Sequence, residues 1–447
     1  MSFPKNFIWG AATASYQIEG GATADGRGPS VWDMLCRKDG AVWNGHTGDV
    51  ACDHYHRYRE DVAMMKQLGL HAYRLSISWS RVLPKGTGKV NAKGLAFYDR
   101  LVDELLGAGI QPFVTLFHWD LPHELYCRGG WLNRDSADWF ADYTVIIAKK
   151  LGDRVRNWMT LNEPQCFIGL GMRDGIHAPG DKLGWGEVLR AAHHSLLAHG
   201  RGVRALRANC RAKPRIGYAP VGVVKMPASN SAADIKATRA AMFAVKAGSL
   251  WNNTWWMDPV FFGKYPVDGL KAFASYLPPI ESGDLKTISA PLDFFGCNIY
   301  NGEHIRAGDP KPVQLPPGHP LTSFYWPVVP DSLYWGPRFF YERYKLPVFI
   351  TENGLANSDW VALDGKVHDP QRIDFTARYL RELRRAITDG ADVRGYFHWS
   401  LMDNFEWAEG FKQRFGMIHV DYPTGKRTPK DSYHWYRQVI AANGTQI

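Results

Sequence analysis

Two glutamates close short apolar runs, in Thr160-Leu161-Asn162-Glu163-Pro164 and in Ile350-Thr351-Glu352-Asn353-Gly354. Each run reads as a buried strand with the glutamate at its C-terminal end. Two carboxyls that face each other across a pocket can divide the work of cleaving a glycosidic bond. One, protonated, assists the leaving oxygen; the other, ionised, attacks carbon or activates water. Direct attack calls for a separation of about 5–5.5 Å. Either motif alone is read equally well as a strand-end carboxylate at a helix N-terminus. Burial of two unpartnered carboxyls is costly, so the two motifs together favour the chemical reading.

The elements that must hold these residues recur along the whole chain. Strands are predicted at Phe7–Thr13, Ala72–Ser78, Gln111–His118, Val155–Asn162, Arg215–Ala219, Asp293–Tyr300, Val348–Glu352 and Val393–Ser400. Helical patterns between them include Gly94–Ala108, Ser136–Leu151, Leu189–Ala208, Ala233–Leu250, Leu333–Arg343 and Asp374–Thr388. Eight strand–helix units imply an α/β fold, a single closed (β/α)8 TIM barrel. Glu163 and Glu352 then end the fourth and seventh strands, on opposite sides of the barrel mouth. Such a barrel takes roughly 250 residues, so a chain of 447 places its surplus in loops, the longest being Trp256–Pro291 and Asn301–Asp331. No linker, repeat or low-complexity tract divides residues 1–447, which are read as one domain with long loops at the C-terminal face of the barrel. Those loops wall in a deep pocket, which suits small substrates or chain ends.

Composition narrows the partners. The 18 Trp, 20 Tyr and 22 Phe exceed what the core is expected to need, and their flat faces suit sugar rings or bases. The net charge of +9 is dispersed, and the densest basic group, Arg378 to Arg385, is interleaved at helical spacing with Tyr379, Leu380, Glu382 and Leu383. That is a solvated helix face, and no nucleic-acid partner is expected. Six cysteines stand singly, without zinc or dithiol spacing, and are read as reduced thiols. Met1 to Asn6 lacks the features of a secretory leader and no apolar run approaches a membrane span, so a cytoplasmic protein with no membrane partner is expected. The triplets at Asn252 and Asn443 then carry no glycan. His54, His56, His193, His194 and His199 lack a convincing third metal ligand, and Gly20, Gly21, Gly26 and Gly28 lack the context of a phosphate loop. No metal and no cofactor are expected.

Six stretches, in order, resemble glycoside hydrolase family 1, the β-glucosidase family. They are Phe7 to Gly20 (FIWGAATASYQIEG), Tyr73 to Arg81 (YRLSISWSR), Leu116 to Pro122 (LFHWDLP), the two glutamate motifs, and His398 to Trp407 (HWSLMDNFEW). The resemblance covers essentially the whole chain. It implies a retaining double displacement with Glu352 as nucleophile and Glu163 as acid and then base. Arg74 and the Tyr300 hydroxyl would keep Glu352 ionised, while burial and the charge of Glu352 would keep Glu163 protonated until the covalent intermediate forms. The same resemblance implies that Gln17, His118, Asn162, Glu406 and Trp407 hydrogen-bond the non-reducing sugar, that Trp399 is its stacking floor, and that Trp119, Asn298 and Tyr300 line or support the pocket. Trp326 and Phe415 would line the leaving-group side.

Family members acting on 6-phosphorylated sugars carry small polar and lysine residues where this chain has Glu406 and Trp407, and a carboxylate there repels phosphate. Thioglucosidases replace the acid by glutamine, whereas Glu163 is present. An unphosphorylated O-glycoside is therefore implied. Gln165, Cys166, Met172 and Ile299 depart from common family residues and bear on leaving-group preference. The expectation is an exo-acting β-glucosidase for disaccharides, short cello-oligosaccharides and aryl glucosides, forming a monomer or small homo-oligomer. Its alternatives are a β-galactosidase or β-fucosidase, a transglycosylase, and a non-catalytic sugar-binding relative.

Overall fold

The computed structural model describes residues 2–309 and 311–447. Met1, at the start of the N-terminal reading, and Pro310, inside the predicted loop Asn301–Asp331, lie outside the described residues. Eight parallel strands close into a barrel in chain order: β1 (Ile8–Ala12), β2 (Ala72–Ser76), β3 (Gln111–Phe117), β4 (Asn157–Asn162), β5 (Arg215–Ala219), β6 (Phe294–Asn298), β7 (Val348–Asn353) and β8 (Val393–Trp399). This is the TIM barrel expected from the sequence, with strand ends within about two residues of the predicted ones. The strands are buried on both faces, which is why they read as continuous apolar runs and not as alternations.

A layer of phenylalanines plugs the lower barrel. Phe113 of β3 lies 4.9 Å from Phe397 and 5.6 Å from Phe349, and Phe294 lies 5.1 Å from Phe349, centroid to centroid. Small residues on neighbouring strands make the room. A Cβ on Gly217 of β5 would sit 2.1 Å from the Phe294 ring, and one on Gly10 of β1 would sit 2.4 Å from Phe397. Large and small positions thus interlock around the axis, as close packing of a barrel interior requires.

Above that layer the inward side chains become polar, and the register shifts at the β4–β5, β6–β7 and β7–β8 seams. On β4 the pairing with β5 slips between Met159 and Asn162, and on β7 the pairing with β6 slips between Ile350 and Glu352. An inserted residue turns the following side chain toward the face it would otherwise leave. Thr351 and Glu352 therefore both reach into the barrel, although they are adjacent in sequence.

Helices surround the barrel. Ser136–Leu151 has the predicted bounds, and Ala92–Gly107, Trp185–Asn209, Ser332–Tyr344 and Pro370–Thr388 differ from prediction at their ends. The helix predicted over Ala233–Leu250 spans Ala232–Met242 instead, because the Asn253 side chain takes up the Met242 carbonyl (2.8 Å) and the chain turns through Gly248 at φ 74°. Half of Trp256–Pro291, predicted to be irregular, lies in the helices Thr254–Phe262, Val267–Ala272 and Asp284–Ile288. Pro259, Gly263 and Pro266 punctuate this segment. Gly263 in fact ends the first helix at φ 66°, and Pro266 precedes the second. Within Asn301–Asp331, Gly302–Ile305 forms a strand that pairs in parallel with Val224–Pro227 outside the barrel.

The aromatic surplus is a correction too, since much of it is core. Trp9, Trp32, Trp79, Trp158, Trp255 and Trp256 are fully buried. The six cysteines are unpaired, four of them buried, and no helix among the described residues is long and apolar enough to cross a membrane. The chain ends meet beneath β1, where Phe3 N–H donates to the Asn443 carbonyl (3.1 Å) and the Trp9 indole N–H donates to the Asn443 side chain (3.0 Å).

The interlock at Gly217 is testable. Gly217→Ala should lower the unfolding free energy by about 1–3 kcal/mol through overpacking against Phe294, read from a denaturant midpoint. An unchanged midpoint would show that the phenylalanine layer yields freely.

Candidate active site

The mouth of the barrel holds a cavity of about 420 Å3, reached by side chains from most strand ends. Glu163, Glu352, Asn298, Tyr300, His118, Trp119, Trp326, Trp399, Glu406, Trp407 and Phe415 line it. Arg74, Gln17 and Asn162 lie fully buried against this lining and do not form part of it. The structure thus brings every singled-out residue to one place, in two shells.

Glu352 is the carboxyl that is paired with a cation. The Arg74 guanidinium of β2 forms an ion pair with its Oε1 and also donates to the Thr351 carbonyl (3.1 Å). The Tyr300 hydroxyl donates to Oε2 at 2.7 Å. Glu163 is held differently: its Oε1 accepts from the Asn298 amide at 2.7 Å and its Oε2 from the Cys166 thiol at 3.2 Å, and no ion pair reaches it among the described residues. Burial, and then the charge of Glu352, pushes Glu163 up to about 8. Burial raises Glu352 too, but Arg74 and the Tyr300 hydrogen bond oppose the shift. A third carboxyl, Glu406, is pushed to about 8 by burial and by the charges of Glu352 and Glu163. The first negative charge in the cavity therefore settles on Glu352, beside the guanidinium, and leaves Glu163 and Glu406 protonated near neutral pH.

One chain of hydrogen bonds also fixes a tautomer. Asn162 Oδ1 accepts from Arg74 (2.6 Å) and from Asn298 (3.0 Å), so its NH2 group must face His118, and it donates to Nε2 at 3.0 Å. Burial and the Arg74 charge hold His118 well below its usual range, so the ring is neutral with its proton on Nδ1. Nδ1 makes no hydrogen bond within the described protein, and neither does Gln17 Oε1. Gln17 Nε2 donates to the Phe405 carbonyl (2.9 Å), to Asn404 (3.0 Å) and to Glu406 (3.3 Å), which ties the segment after β1 to the loop after β8. One buried donor, His118 Nδ1, is left on the cavity lining, and one buried acceptor, Gln17 Oε1, lies behind it. Both are unsatisfied by the protein itself.

Flat rings complete the floor. His118 lies 5.9 Å from both Trp399 and Trp407 at interplanar angles near 20°, and Trp119 packs 4.5 Å from Trp407. Trp119, Glu163 and Trp407 adopt φ of 77°, 44° and 53°, a left-handed backbone that disfavours side chains and persists where the surroundings impose it. Trp326 stacks on Phe324 at 4.8 Å and lies 5.3 Å from Tyr300, on the outer side.

Of the four departures noted in the sequence, only Cys166 lines the cavity. The Gln165 amide braces the Val221 backbone, Ile299 is buried against Gly222 and Gly336, and Met172 lines a separate cavity behind Trp119. Sequence reasoning missed the thiol contact to Glu163 and the partnership of Asn404 with Gln17. It also missed Asp120, a buried carboxyl pushed up to about 7 by burial, which accepts from the Ser15 hydroxyl at 3.1 Å. The stretches HWDLP and DNFEW contained two of these residues, but neither carried a signal of contact. A barrel whose mouth holds one carboxyl paired with a guanidinium and another without a cation, above stacked rings and unsatisfied polar atoms, has the make-up of a carbohydrate-cleaving enzyme.

The comparisons agree. The model for glycosyl hydrolase family 1 matches residues 1–445, and the chain belongs to that family of glycosidases. It is 44% identical to beta-glucosidase A of Thermotoga maritima and 45% identical to 1,4-beta-D-glucan glucohydrolase of Thermotoga neapolitana, over 99% of both chains in each case. Among solved structures, the beta-glucosidase from Thermotoga maritima in complex with glucoimidazole superposes with a TM-score of 0.91 at 45% identity, covering 99% of each chain.

The coupling of the two glutamates makes a prediction. Glu352→Gln removes the negative neighbour, so Glu163 should titrate below the value near 8 that it has in the parent. Infrared difference spectra of the carboxyl band against pH read that midpoint. An unmoved midpoint would mean that burial alone sets it.

Proposed function

We propose that the protein is a retaining, exo-acting β-glucosidase that removes terminal non-reducing β-D-glucosyl residues from disaccharides, short cello-oligosaccharides and aryl glucosides. The observation that carries this reading is the asymmetric support of the two carboxyls: Glu352 is paired with Arg74 and Tyr300, and Glu163 is held up to about 8 without a cation. In the first step Glu352 attacks the anomeric carbon, the glycosidic C–O bond breaks, and the proton of Glu163 passes to the leaving oxygen. The new ester cancels the charge of Glu352, and Glu163, now ionised, can accept a proton from water as water attacks the same carbon and frees Glu352.

Gln17, His118, Asn162, Glu406 and Trp407 are assigned to the hydroxyls of the terminal sugar, with Trp399 beneath its ring. In support, the Nδ1 donor of His118 and the Oε1 acceptor of Gln17 are buried and unmatched. Exo action fits a pocket whose floor is closed by Trp399 and Trp407. The names of the Thermotoga relatives support the glucosidase assignment. The chain is read as one domain, because β1 pairs with β8 and the chain ends meet, and as cytoplasmic, in line with six unpaired thiols.

Azide tests the roles. On an activated aryl β-glucoside, Glu163→Ala should lose about 10²–10⁴-fold in turnover and yield a β-glycosyl azide when azide is added. Glu352→Gly should lose more and be rescued as the α-glycosyl azide. Near-parental turnover in either variant would remove that glutamate from the mechanism.

A further inference from the structure

An acid that loses a proton and regains it in every cycle needs hydrogen-bond partners that suit both states. The two oxygens of Glu163 are unequal in this respect. Arg74 can only donate, so the Asn162 oxygen faces it at 2.6 Å, and the Asn298 NH2 group faces the same oxygen at 3.0 Å. That NH2 group also donates to Glu163 Oε1 at 2.7 Å, while the Thr351 hydroxyl donates to the Asn298 carbonyl at 2.6 Å. The amide is thereby fixed in orientation. Oε1 always meets a donor, which favours it as the carbonyl oxygen of the neutral acid and leaves the proton to Oε2. At Oε2 the Cys166 thiol, 3.2 Å away, is the one hydrogen-bond partner among the described residues.

Cys166 is tied to the acid at two points. Its backbone N–H donates to the Glu163 carbonyl at 2.9 Å, and its side chain, buried on the cavity lining, makes no other hydrogen bond among the described residues. Burial and the charge of Glu163 push the thiol well up, so it keeps its hydrogen. The other charged or titratable groups that act on Glu163 are Glu352 of β7, Arg74 of β2, Glu406 after β8 and the Tyr300 hydroxyl after β6. His118 and His177, on the same cavity, are kept neutral chiefly by burial. None of these groups hydrogen-bonds to Oε2 among the described residues.

We propose that Cys166 is a positioning residue for the acid, keeping the transferable proton on Oε2 of Glu163 and meeting that oxygen in both protonation states, a role that rests on the β-glucosidase reading. In the resting enzyme the Oε2–H group donates to the sulfur. As the glycosidic bond breaks, the Oε2–H bond breaks with it, the proton passes to the leaving oxygen, and the S–H group turns to donate to the Oε2 anion. Water restores the first arrangement by returning a proton to Oε2 as it attacks the anomeric carbon. A lysine in this place would hold the carboxyl ionised, and a carbonyl would hold it protonated. A thiol is a weak donor and a weak acceptor, so it orients Oε2 without committing it to either state.

Infrared spectra of the S–H stretch test this role on the intact protein. One thiol band should move to lower frequency as pH rises through the Glu163 midpoint near 8, where the sulfur changes from acceptor to donor, and the same band should stand still in Glu163→Gln. In the pH profile, kcat/KM is lost as Glu163 ionises. Cys166→Val fills the place without a hydrogen bond to the anion, so it should move this basic limb upward by about half a unit. Cys166→Ser, whose hydroxyl both donates and accepts, should leave the limb near its parental position. If no thiol band of the parent moves with pH, or if Cys166→Val leaves the basic limb unmoved, the role is overturned, and the first outcome requires no replacement of the cysteine. Near-parental turnover of p-nitrophenyl β-glucoside by Glu163→Ala would instead overturn the reading of Glu163 as the acid, so the two failures are distinguishable.

Discussion

A buried guanidinium organises this protein. Arg74 is 1% exposed, and its nitrogens reach three strands besides its own: Thr115 on β3, Asn162 on β4 and Glu352 on β7. An unpaired charge at that depth would cost several kcal/mol, so β2, β4 and β7 must arrive in register before the barrel top is stable. The same pairing favours ionisation of Glu352 over the other two carboxyls at the cavity floor, Glu163 and Glu406, and through Asn162 it decides where the proton of His118 sits. Structural closure and protonation state share one ion pair.

Register slips in β4 and β7 serve this arrangement. Regular alternation would place Thr351 and Glu352 on opposite faces, yet both groups are used inside the barrel, Thr351 donating to Asn298 at 2.6 Å and Glu352 accepting from Arg74 and Tyr300. Asn298 is then fixed by Thr351 on its carbonyl side and presents its NH2 group to Glu163 and Asn162. The two glutamates are linked by this short relay of amides, and its rigidity keeps their mutual influence steady.

Much of this was legible in the sequence. Strands buried on both faces write uninterrupted apolar runs, so the barrel and the two glutamate-bearing ends could be read directly. The residues at the pocket floor emerged from motif resemblance, not from periodicity, because Gln17 or His118 alone looks like any polar residue on a barrel strand. The register slips left no trace, since an extra residue in a strand changes the pairing and not the composition. Breaker residues misled the reading after β5, where Pro259, Gly263 and Pro266 punctuate helices.

The barrel is sealed by its first and last strands, with Ala12 opposite Trp399, and the chain ends are joined through Asn443. Gln17 follows the first strand and Glu406 the last, and their contact at 3.3 Å spans nearly the whole sequence. During synthesis on the ribosome, the pocket floor therefore has no stable form until the final sixth of the chain has emerged. A nascent chain stalled earlier would expose an unzipped sheet edge between β1 and β7, the kind of surface that chaperones engage. Competence for activity is acquired in one late event and not by degrees.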